Sequence, residues 1–568
     1  MKKIYILTQA KEQVNALEAL RDLGLLHIEH VHAPSGSTLN DVCGQIQDLE
    51  KALAILEPFK GAVQKESTNG LKDAQEVVKL DQEIKQLKEQ MAALDLQIKT
   101  WEPWGEFEPN DVRYLAHHGI HLNLYEVSAK ELKKAERDLI TIHSDGKSAK
   151  AVGINLKHAP LREVALPAHG LKTLKHQAHQ LGHRIASVEK IISEHGRYYQ
   201  SWAKTLETKR NDLELHKAAA GMGQQEDLVY LKGFCPADQV EALKAGAQKN
   251  HWGLLVEDPS DEDRPPTLLK NPDTIGMVKP IFDFMNITPG YREQDVSFVF
   301  LLFFTLFFSI LIGDAGYGSV FLLLFAFVHK KVGKKVDHKV FLLGYTLSVG
   351  TIIWGVMTGT YFGTALTSNL IKPVVPWLTV NEHVQQLVFT IGVIHLTVAH
   401  GWRAYNQLRV KNWSGFIDIG WILILWACYF AVLYFVVNAP LSPLTLPLAA
   451  AGGILIAVFS KFDIIGLFLG SLGAFGDIVS YIRLFAVGLA GVAVADAFNN
   501  MGMSIGFSSP GSAIGACLVI GLGHILNMVL SMFAILVHGI RLKVMEFSGH
   551  LGIEWIGTQY QPLKKTVV

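Results

Sequence analysis

The alternation of apolar and polar positions divides the chain near residue 290. Before that point, short apolar stretches alternate with Lys, Glu, Asp, Gln and His. From Val296 to about Val544 the chain consists almost entirely of Leu, Ile, Val, Phe, Ala and Gly. A helix needs about 20 apolar residues to cross the hydrocarbon core of a bilayer. The pattern therefore predicts a soluble region, 1–290, and an α-helical polytopic membrane region, 291–568.

The soluble region begins with the periodicity of a small α/β lobe. Alternating stretches at 4–7 and 25–31 predict two strands, and the pattern at 11–23 between them predicts a helix. We expect this proximal lobe to combine residues 1–40 with residues 226–258.

A second mixed stretch, 105–168, predicts a distal lobe, because it contains strand-like segments at 120–125 and 151–156. The stretches that flank it, 41–100 and 174–217, carry apolar residues at steps of three and four, which keeps an apolar stripe facing a partner helix. We therefore predict a long antiparallel, coiled-coil-like strut between the lobes, with an ordinary helical bundle as the alternative. The stripe residues are Val42, Ile46, Leu49, Leu53, Leu56, Val77, Leu80, Ile84, Leu87, Met91, Leu94, Ile98, Leu174, Ala178, Leu181, Ile185, Val188, Ile192, His195, Tyr199, Trp202 and Leu206.

The membrane region contains about eight apolar stretches, each expected to be a membrane-spanning helix. The last two are longer than a bilayer requires, so they are expected to tilt or to extend beyond it. The stretches are 296–312, 314–329, 339–361, 384–402, 415–437, 445–459, 466–499 and 513–547.

Basic residues concentrate in alternate loops of this region. The segment 329–339 carries five lysines, and 403–411 carries two arginines and a lysine. The tail contributes Lys543, Lys564 and Lys565. The positive-inside bias then predicts that the N-terminal region and the C-terminus are both cytoplasmic.

Arg483 lies in the middle of the seventh apolar stretch. An arginine at mid-bilayer costs at least about 2.5–3.5 kcal/mol, and such residues usually mark ion pathways. Ser480 in the same segment is a further candidate. Pairing of Arg483 with an internal acid, Asp477 or Asp496, is the structural alternative. Its helix face continues with mostly small residues that allow another helix to approach closely: Ala486, Val487, Ala490, Ala493 and Ala497.

Polar residues also form a stripe along the eighth stretch, at offsets of 3, 4, 7 and 3. We interpret this stripe, together with Glu546, as candidate ion-translocation residues, although it could instead hold helices together. Arg541 lies near the cytoplasmic end and could simply extend to the membrane surface. The stripe consists of His524, Asn527, Ser531, His538 and Arg541.

Composition excludes several classes of function. The 52 basic and 52 acidic residues balance, so nucleic-acid binding has no electrostatic support. The four cysteines form no CxxC pair, and the histidines of the soluble region lack ligands at metal-binding spacing, so no metal site is expected. The segment 145–148 reads Asp-Gly-Lys-Ser but lacks the earlier glycine of a phosphate-binding loop. We therefore predict no cofactor and no catalytic residue. The first residues lack the apolar run of a signal peptide.

Several motifs, in this order, resemble subunit I of prokaryotic V/A-type ATPases, the counterpart of subunit a of V-ATPases. The resemblance covers nearly the whole chain. The motifs are Leu23-Gly-Leu-Leu-His27, Leu231-Lys-Gly-Phe-Cys-Pro236, Tyr291-Arg-Glu-Gln-Asp295, Gly313-Asp-Ala-Gly-Tyr-Gly318, Trp354-Gly-Val-Met-Thr-Gly-Thr-Tyr-Phe-Gly363 and Gly476-Asp-Ile-Val-Ser-Tyr-Ile-Arg-Leu484.

The resemblance implies a non-catalytic membrane stator subunit of a rotary ATPase in a prokaryotic cell membrane. It implies that the membrane region forms ion half-channels against a rotating proteolipid (c/K-type) ring, that Arg483 faces this ring and that Arg541 is a second functional arginine. It also implies contacts with peripheral stalk subunits (E/G-type) and with rotor-side subunits of the V1/A1 sector. The chain departs from eukaryotic relatives at Gly491, where they tend to carry histidine, and at Ser531, where they tend to carry glutamate.

Two other classes of function stay open. The chain could be a stand-alone secondary ion transporter with a cytoplasmic regulatory domain, although no clear repeat relates spans one to four to spans five to eight. It could also be a scaffold whose membrane part is only an anchor, which Arg483 argues against. The sequence leaves open whether the ion is H⁺ or Na⁺ and whether ATP is made or consumed.

Overall fold

A computed structural model describes residues 1–61, 65–66, 69–128, 139–144, 148–155, 161–364 and 371–565. The chain forms two compact units. One contains Lys2–Asp258 and the residues from Pro562 on, and the other contains Met1 and Pro259–Gln561. Most of the 145–148 turn considered above lies outside the described residues. The functional division at residue 290 stays a prediction.

The first unit contains two sheets, one built from strands at both ends of its sequence, and all described strand pairs in it are antiparallel. Among the described residues, strands β1, β2, β7, β8 and β9 form one sheet in the order β2-β8-β1-β9, with β7 beside β8. The strands are β1 Lys2–Gln9, β2 His27–Glu29, β7 Gly223–Gln225, β8 Leu228–Cys235 and β9 Gly253–Glu257. β1 thus pairs with β8 and β9, and the proximal lobe of residues 1–40 and 226–258 stays a prediction. The second strand is shorter than the expected 25–31, so His30 and His32 lie beyond its end.

A second sheet occupies the middle of this sequence. The described strands follow the order β4-β5-β3-β6. They are β3 Leu122–Ser128, β4 Leu139–Ser144, β5 Ser148–Ile154 and β6 Arg162–Val164. Alternate side chains of β3 and β5, including Tyr125 and Ala151, are buried, as a sheet with one covered face requires.

Helices connect these sheets. Four of them, α2, α3, α5 and α6, share one cluster of buried apolar side chains, which includes Leu49, Val77, Val188 and Trp202. The stripe residues of α3 beyond Ile84 are only half-buried, and the coiled-coil character of this part stays a prediction. The helices of the first unit are α1 Gln13–Leu23, α2 Ser37–Leu56, α3 Gly70–Trp101, α4 Pro109–His117, α5 Leu171–His195, α6 Tyr199–Ala220 and α7 Val240–Lys249.

The second unit is helical and packs around aromatic and aliphatic side chains such as Phe300, Phe307, Phe389 and Leu425. Its helices are α8 Asp273–Gly276, α9 Lys279–Met285, α10 Ser297–Ile312, α11 Ala315–Val332, α12 His338–Thr358, α13 Asn381–Arg409, α14 Gly415–Val436, α15 Thr445–Phe459, α16 Ile464–Ser480, α17 Ile482–Ile505, α18 Pro510–Ala534 and α19 Ser548–Leu551.

In the described part of the chain, six helical stretches are long and apolar enough to cross a membrane. Two further apolar helices, α10 and α15, have 16 and 15 residues, so the total of eight spans stays a prediction. The last two stretches, Ile464–Ile505 and Pro510–Leu551, have 42 residues each. They are longer than the expected 34 or 35 residues, and neither is a regular α-helix throughout.

The sharp turn between α10 and α11 is built by two adjacent residues. Gly313 ends α10 in the left-handed region at φ +65°, where a side chain would be strained. Asp314 then accepts a hydrogen bond from the Tyr317 N–H and caps α11. The two helices therefore meet without an exposed loop.

Candidate functional site

Arg483 lies in the first turn of α17, directly after an interruption of the helix at Tyr481. The Leu484 N–H bonds to the Tyr481 carbonyl, three residues back, so the Ser480 carbonyl is available to another donor. The Arg483 Nε–H donates to that carbonyl at 2.8 Å. The helix break thus helps to orient the guanidinium, whose five N–H donors have a fixed planar arrangement.

The same guanidinium is paired with Glu546, 63 residues further along the chain. Arg483 Nη2 donates to Glu546 Oε1 at 3.0 Å. The Arg483 side chain is 25 % exposed and the Glu546 side chain 7 %. The structural alternative from the sequence named the wrong acids, because Asp477 contacts His550 and Asp496 contacts Thr364.

Glu546 also contacts Arg541 and Ser480. Its Oε1 lies 3.8 Å from Arg541 Nε and 3.5 Å from Ser480 Oγ. Its Oε2 is buried and has no hydrogen-bond partner among the described residues. A single carboxylate therefore lies between two permanent positive charges, with one oxygen unused.

Two π-helical segments, Ile535–Gly539 and Leu542–Phe547, explain how Arg541 and Glu546 meet. Residues five apart do not share a face of an α-helix, whereas a π-helix closes i to i+5. The wider turns therefore bring the two side chains to one side. Such π turns occur frequently at functional sites.

The polar stripe of the sequence divides into two groups. His538 and Arg541 lie in or beside the π-helical segments, and His538 Nδ1 has no hydrogen-bond partner within the described ranges. His524, Asn527 and Ser531 lie on α18 and are buried.

His524 and Asn527 belong to a closed network. His524 Nδ1 lies 2.7 Å from the Tyr317 hydroxyl, and its Nε2 lies 3.0 Å from Asn499 Oδ1. Asn527 Nδ2 donates to the Tyr317 hydroxyl oxygen and to the Gly491 carbonyl. With His524 protonated on Nε2, every one of these groups has a partner.

The small residues after Arg483 form an exposed strip on α17. Ala486, Ala490, Ala493 and Ala497 are all exposed, while Val487 is half-buried. The strip begins one turn from Arg483, so a neighbouring chain that packs on it would lie close to the guanidinium.

The sequence analysis missed several ionisable groups. Lys543, expected in the cytoplasmic tail, is fully buried, and its Nζ lies 3.4 Å from His395 Nε2 and 4.4 Å from the centre of the Phe307 ring. Asp418 and His400 are also buried. These residues lie within stretches that the sequence assigns to membrane spans. Ionisable residues in such spans are functional candidates by default. Their position inside apolar stretches is therefore the sequence signal that could have identified them.

The fold and the ion-paired arginine define a membrane protein with a buried charged centre. Relatives identify it further. The chain is 31 % identical to V-type ATP synthase subunit I of Borreliella burgdorferi over 606 aligned residues, covering 100 % of this chain and 99 % of the relative. It is 28 % identical to V-type ATP synthase subunit I 1 of Treponema pallidum, with the same coverage. The A-type ATP synthase subunit I of Methanocaldococcus jannaschii is 27 % identical and is matched over 60 % of its length.

The chain therefore belongs to the subunit I family of V-type and A-type ATP synthases. No family model matches it. A crystal structure of the cytoplasmic N-terminal domain of subunit I, homolog of subunit a, of V-ATPase aligns with 45 % of this chain at 16 % identity and a TM-score of 0.23. That score is too low to support a common fold, so membership rests on the sequence relatives.

Proposed function

We propose that this chain is the non-catalytic membrane stator subunit of a rotary V/A-type ATPase, and that it couples H⁺ or Na⁺ translocation to ATP hydrolysis or synthesis. The observation that carries the proposal is Arg483, a partly exposed guanidinium held by Glu546 at the end of an exposed strip of alanines. Membership of the subunit I family supports the same function.

The exposed strip is the proposed contact with the proteolipid ring. Alanine side chains at 486, 490, 493 and 497 let another helix approach closely, and they leave that helix free to slide because they do not interlock as larger side chains would. Arg483 then meets each ring subunit in turn.

Arg483 acts as a fixed charge in this proposal. A guanidinium keeps its proton in proteins, so Arg483 does not carry protons itself. Opposite a carboxylate of the ring, it favours the ionised form, and the bound cation leaves. Between two half-channels it also repels cations and so limits direct leakage.

Glu546 and Ser480 fix the position of that charge. Their contacts engage the N–H groups on Nε and Nη2. Within the described residues, these bonds leave the other guanidinium N–H groups available to a ring carboxylate. Arg541, 57 % exposed, adds a second positive charge on the far side of Glu546.

The location and the partners that we propose are inferred from the charge distribution and from the family. The soluble unit lies on the cytoplasmic side of a prokaryotic cell membrane, where it contacts peripheral stalk subunits. The basic loops face the same side.

The test is Arg483→Gln in membrane vesicles that carry the whole complex. We expect ATP-driven uptake of the coupling ion to disappear while the assembled complex remains, as judged by native gel electrophoresis. Arg409→Gln, at the exposed end of α13, is the matched control and should pump normally.

Normal ion uptake by an assembled Arg483→Gln complex would contradict the proposal. The stand-alone transporter and the scaffold would then be the functions to examine.

A further inference from the structure

Four ionisable side chains form an unbroken line inside the membrane unit. Asp418 Oδ1 lies 2.9 Å from His400 Nδ1. His400 Nε2 lies 2.8 Å from His550 Nδ1. His550 Nε2 lies 2.9 Å from Asp477 Oδ2. Both nitrogens of each imidazole are therefore engaged, and each end of the line is a carboxyl group.

The line crosses four separate helices. Asp418 is on α14, His400 on α13, His550 on α19 and Asp477 on α16. Asp418 and His400 are nearly fully buried, whereas the Asp477 side chain is 37 % exposed. The packing of the unit assembles the line, because no two of these residues are close in sequence.

The Asp418 end of the line lies beside a positive charge, and the Asp477 end is linked to Arg483 through backbone carbonyl contacts of Ser480. Arg403, whose side chain is 45 % exposed, has its Nε 3.7 Å from Asp418 Oδ2. At the other end, the Asp477 carbonyl accepts a hydrogen bond from Ser480 Oγ, and the Ser480 carbonyl holds Arg483. The line thus connects a half-exposed arginine near the end of α13 with the surroundings of Arg483.

Proton counting shows that the line can transmit charge. Each of the three contacts needs one proton between its two heavy atoms. In one arrangement the protons are on Asp418, on His400 Nε2 and on His550 Nε2, and Asp477 is ionised. In the other they are on His400 Nδ1, on His550 Nδ1 and on Asp477, and Asp418 is ionised.

The first arrangement becomes the second when every proton crosses its own contact. One O–H and two N–H bonds break, and two N–H bonds and one O–H bond form. The net result is the transfer of one proton equivalent from Asp418 to Asp477. Before a second proton passes, each imidazole must lose its Nδ1 proton and gain one on Nε2 by exchange with water, because rotation of the ring moves no proton between its nitrogens.

We infer that Asp418, His400, His550 and Asp477 form a proton relay that connects the end of α13 bearing Arg403 with the Arg483 site, and that the coupling ion of this chain is therefore H⁺. The inference rests on the proposed stator function and deepens it. A sodium ion cannot follow this line, because two nitrogen atoms 2.8 Å apart leave no space for it.

A purely structural network makes the opposite prediction for substitutions at the ends. Asparagine keeps the shape of aspartate and an oxygen that accepts the His400 N–H, but it cannot take up a proton. Glutamate takes up a proton but is longer by one methylene. A relay therefore tolerates Asp418→Glu better than Asp418→Asn, and a structural network tolerates Asp418→Asn better.

The experiment compares these variants in vesicles with the complete complex, by following ATP-driven proton uptake with a pH-sensitive dye and sodium uptake with ²²Na⁺. We expect Asp418→Asn and His550→Gln to lower proton uptake about tenfold or more, and Asp418→Glu to retain more uptake than Asp418→Asn. His383→Gln, on the same helix as His400 but bonded only to the Trp377 carbonyl among the described residues, should pump normally.

Variants at Asp477 decide the question if those at Asp418 fail to assemble, because Asp477 is partly exposed and its replacement disturbs packing less. The same order, glutamate above asparagine, is expected there. The relay is overturned if asparagine equals or exceeds glutamate at the positions that assemble, or if the wild-type complex accumulates ²²Na⁺ without protons.

Arg483→Gln separates failure of the relay from failure of the stator function. If Arg483→Gln abolishes uptake while both asparagine variants pump normally, the relay is wrong and the stator function stands. If Arg483→Gln pumps normally, the stator function itself has failed.

Discussion

Two polar networks in the membrane unit differ in how completely their groups are paired. Around Asp314 and His524, the described groups are matched: Asp314 accepts hydrogen bonds from the N–H groups of Tyr317, Phe362 and Gly363, and His524 uses both ring nitrogens. Around Glu546, one carboxylate oxygen and His538 Nδ1 have no partner among the described residues.

We propose that this difference separates a structural role from a functional one. A buried polar atom without a partner costs about 1–3 kcal/mol, so such atoms are rare unless another molecule or another state uses them. The matched network has nothing left to offer a passing ion. The unmatched network lies beside the exposed strip of α17, which is the proposed contact with a ring subunit.

The largest effect is expected from Asp314→Ala, which removes the acceptor of three buried N–H groups. Hydrogen bonds to a charged group contribute about 1.5–3 kcal/mol each, so the unfolding free energy of the purified subunit in mixed micelles should fall by at least about 3 kcal/mol. Asp463→Ala is the matched control, because Asp463 caps α16 at an exposed position and its loss should cost about 1 kcal/mol. Equal losses would show that the Asp314 network is not structural.

A smaller loss of stability is expected from Tyr317→Phe. This change removes the hydroxyl that contacts His524 Nδ1 and that accepts an N–H of Asn527. The unfolding free energy should fall by about 2 kcal/mol, while the number of ions moved per ATP stays unchanged. Tyr345→Phe, whose hydroxyl contacts the half-buried His329, should cost less. A fall in the ratio of ions to ATP would assign the Tyr317 network to the ion path, as the stripe in the sequence predicted.

Glu546→Gln should have the opposite effect to Tyr317→Phe: ion uptake should fall while the subunit stays stable and assembled. Because Glu546 orients Arg483, its loss is expected to lower ion uptake about tenfold, equivalent to about 1.4 kcal/mol, with the amount of assembled complex unchanged. Uptake in vesicles and native gels measure the two quantities. Glu554→Gln, at an exposed position, is the control. Reduced assembly with an unchanged rate per complex would place Glu546 in the structural class.

The smallest effect is expected from Arg541→Gln. The side chain is 57 % exposed and lies 3.8 Å from Glu546, and exposed ion pairs contribute at most about 1 kcal/mol. Uptake should therefore fall less than in Glu546→Gln, with stability nearly unchanged. A larger loss of uptake than in Glu546→Gln would make Arg541 the principal partner of the ring.

Helix positions could be predicted, and Arg483 could be singled out as a candidate, because both depend on local pattern. Apolar runs give the approximate bounds of the helices from α10 to α15, and a lone arginine inside a run is conspicuous whatever it contacts. The partner of Arg483 could not be predicted in this way. Asp477 and Asp496 are near it in sequence, but their contacts are with His550 and Thr364.

Lys543 is a second residue whose contacts could not be predicted from the sequence. A basic residue near the end of the apolar region is expected in the cytoplasmic tail, but Lys543 is buried beside His395 and the ring of Phe307. The π-helical segments on both sides of Arg541 change which faces of this helix point inward. An irregularity of that kind has no signature in a periodic pattern.

By itself the sequence determined the division into a polar and an apolar region, the approximate helix bounds and the position of a lone arginine inside an apolar stretch, because hydrophobic periodicity and insertion cost are local properties. Only the tertiary structure decided which charges meet. Glu546 reaches Arg483 across 63 residues and His550 reaches His400 across 150. Such pairs depend on how helices cross and on the rotation of each helix about its axis, and these are set by packing of the whole unit.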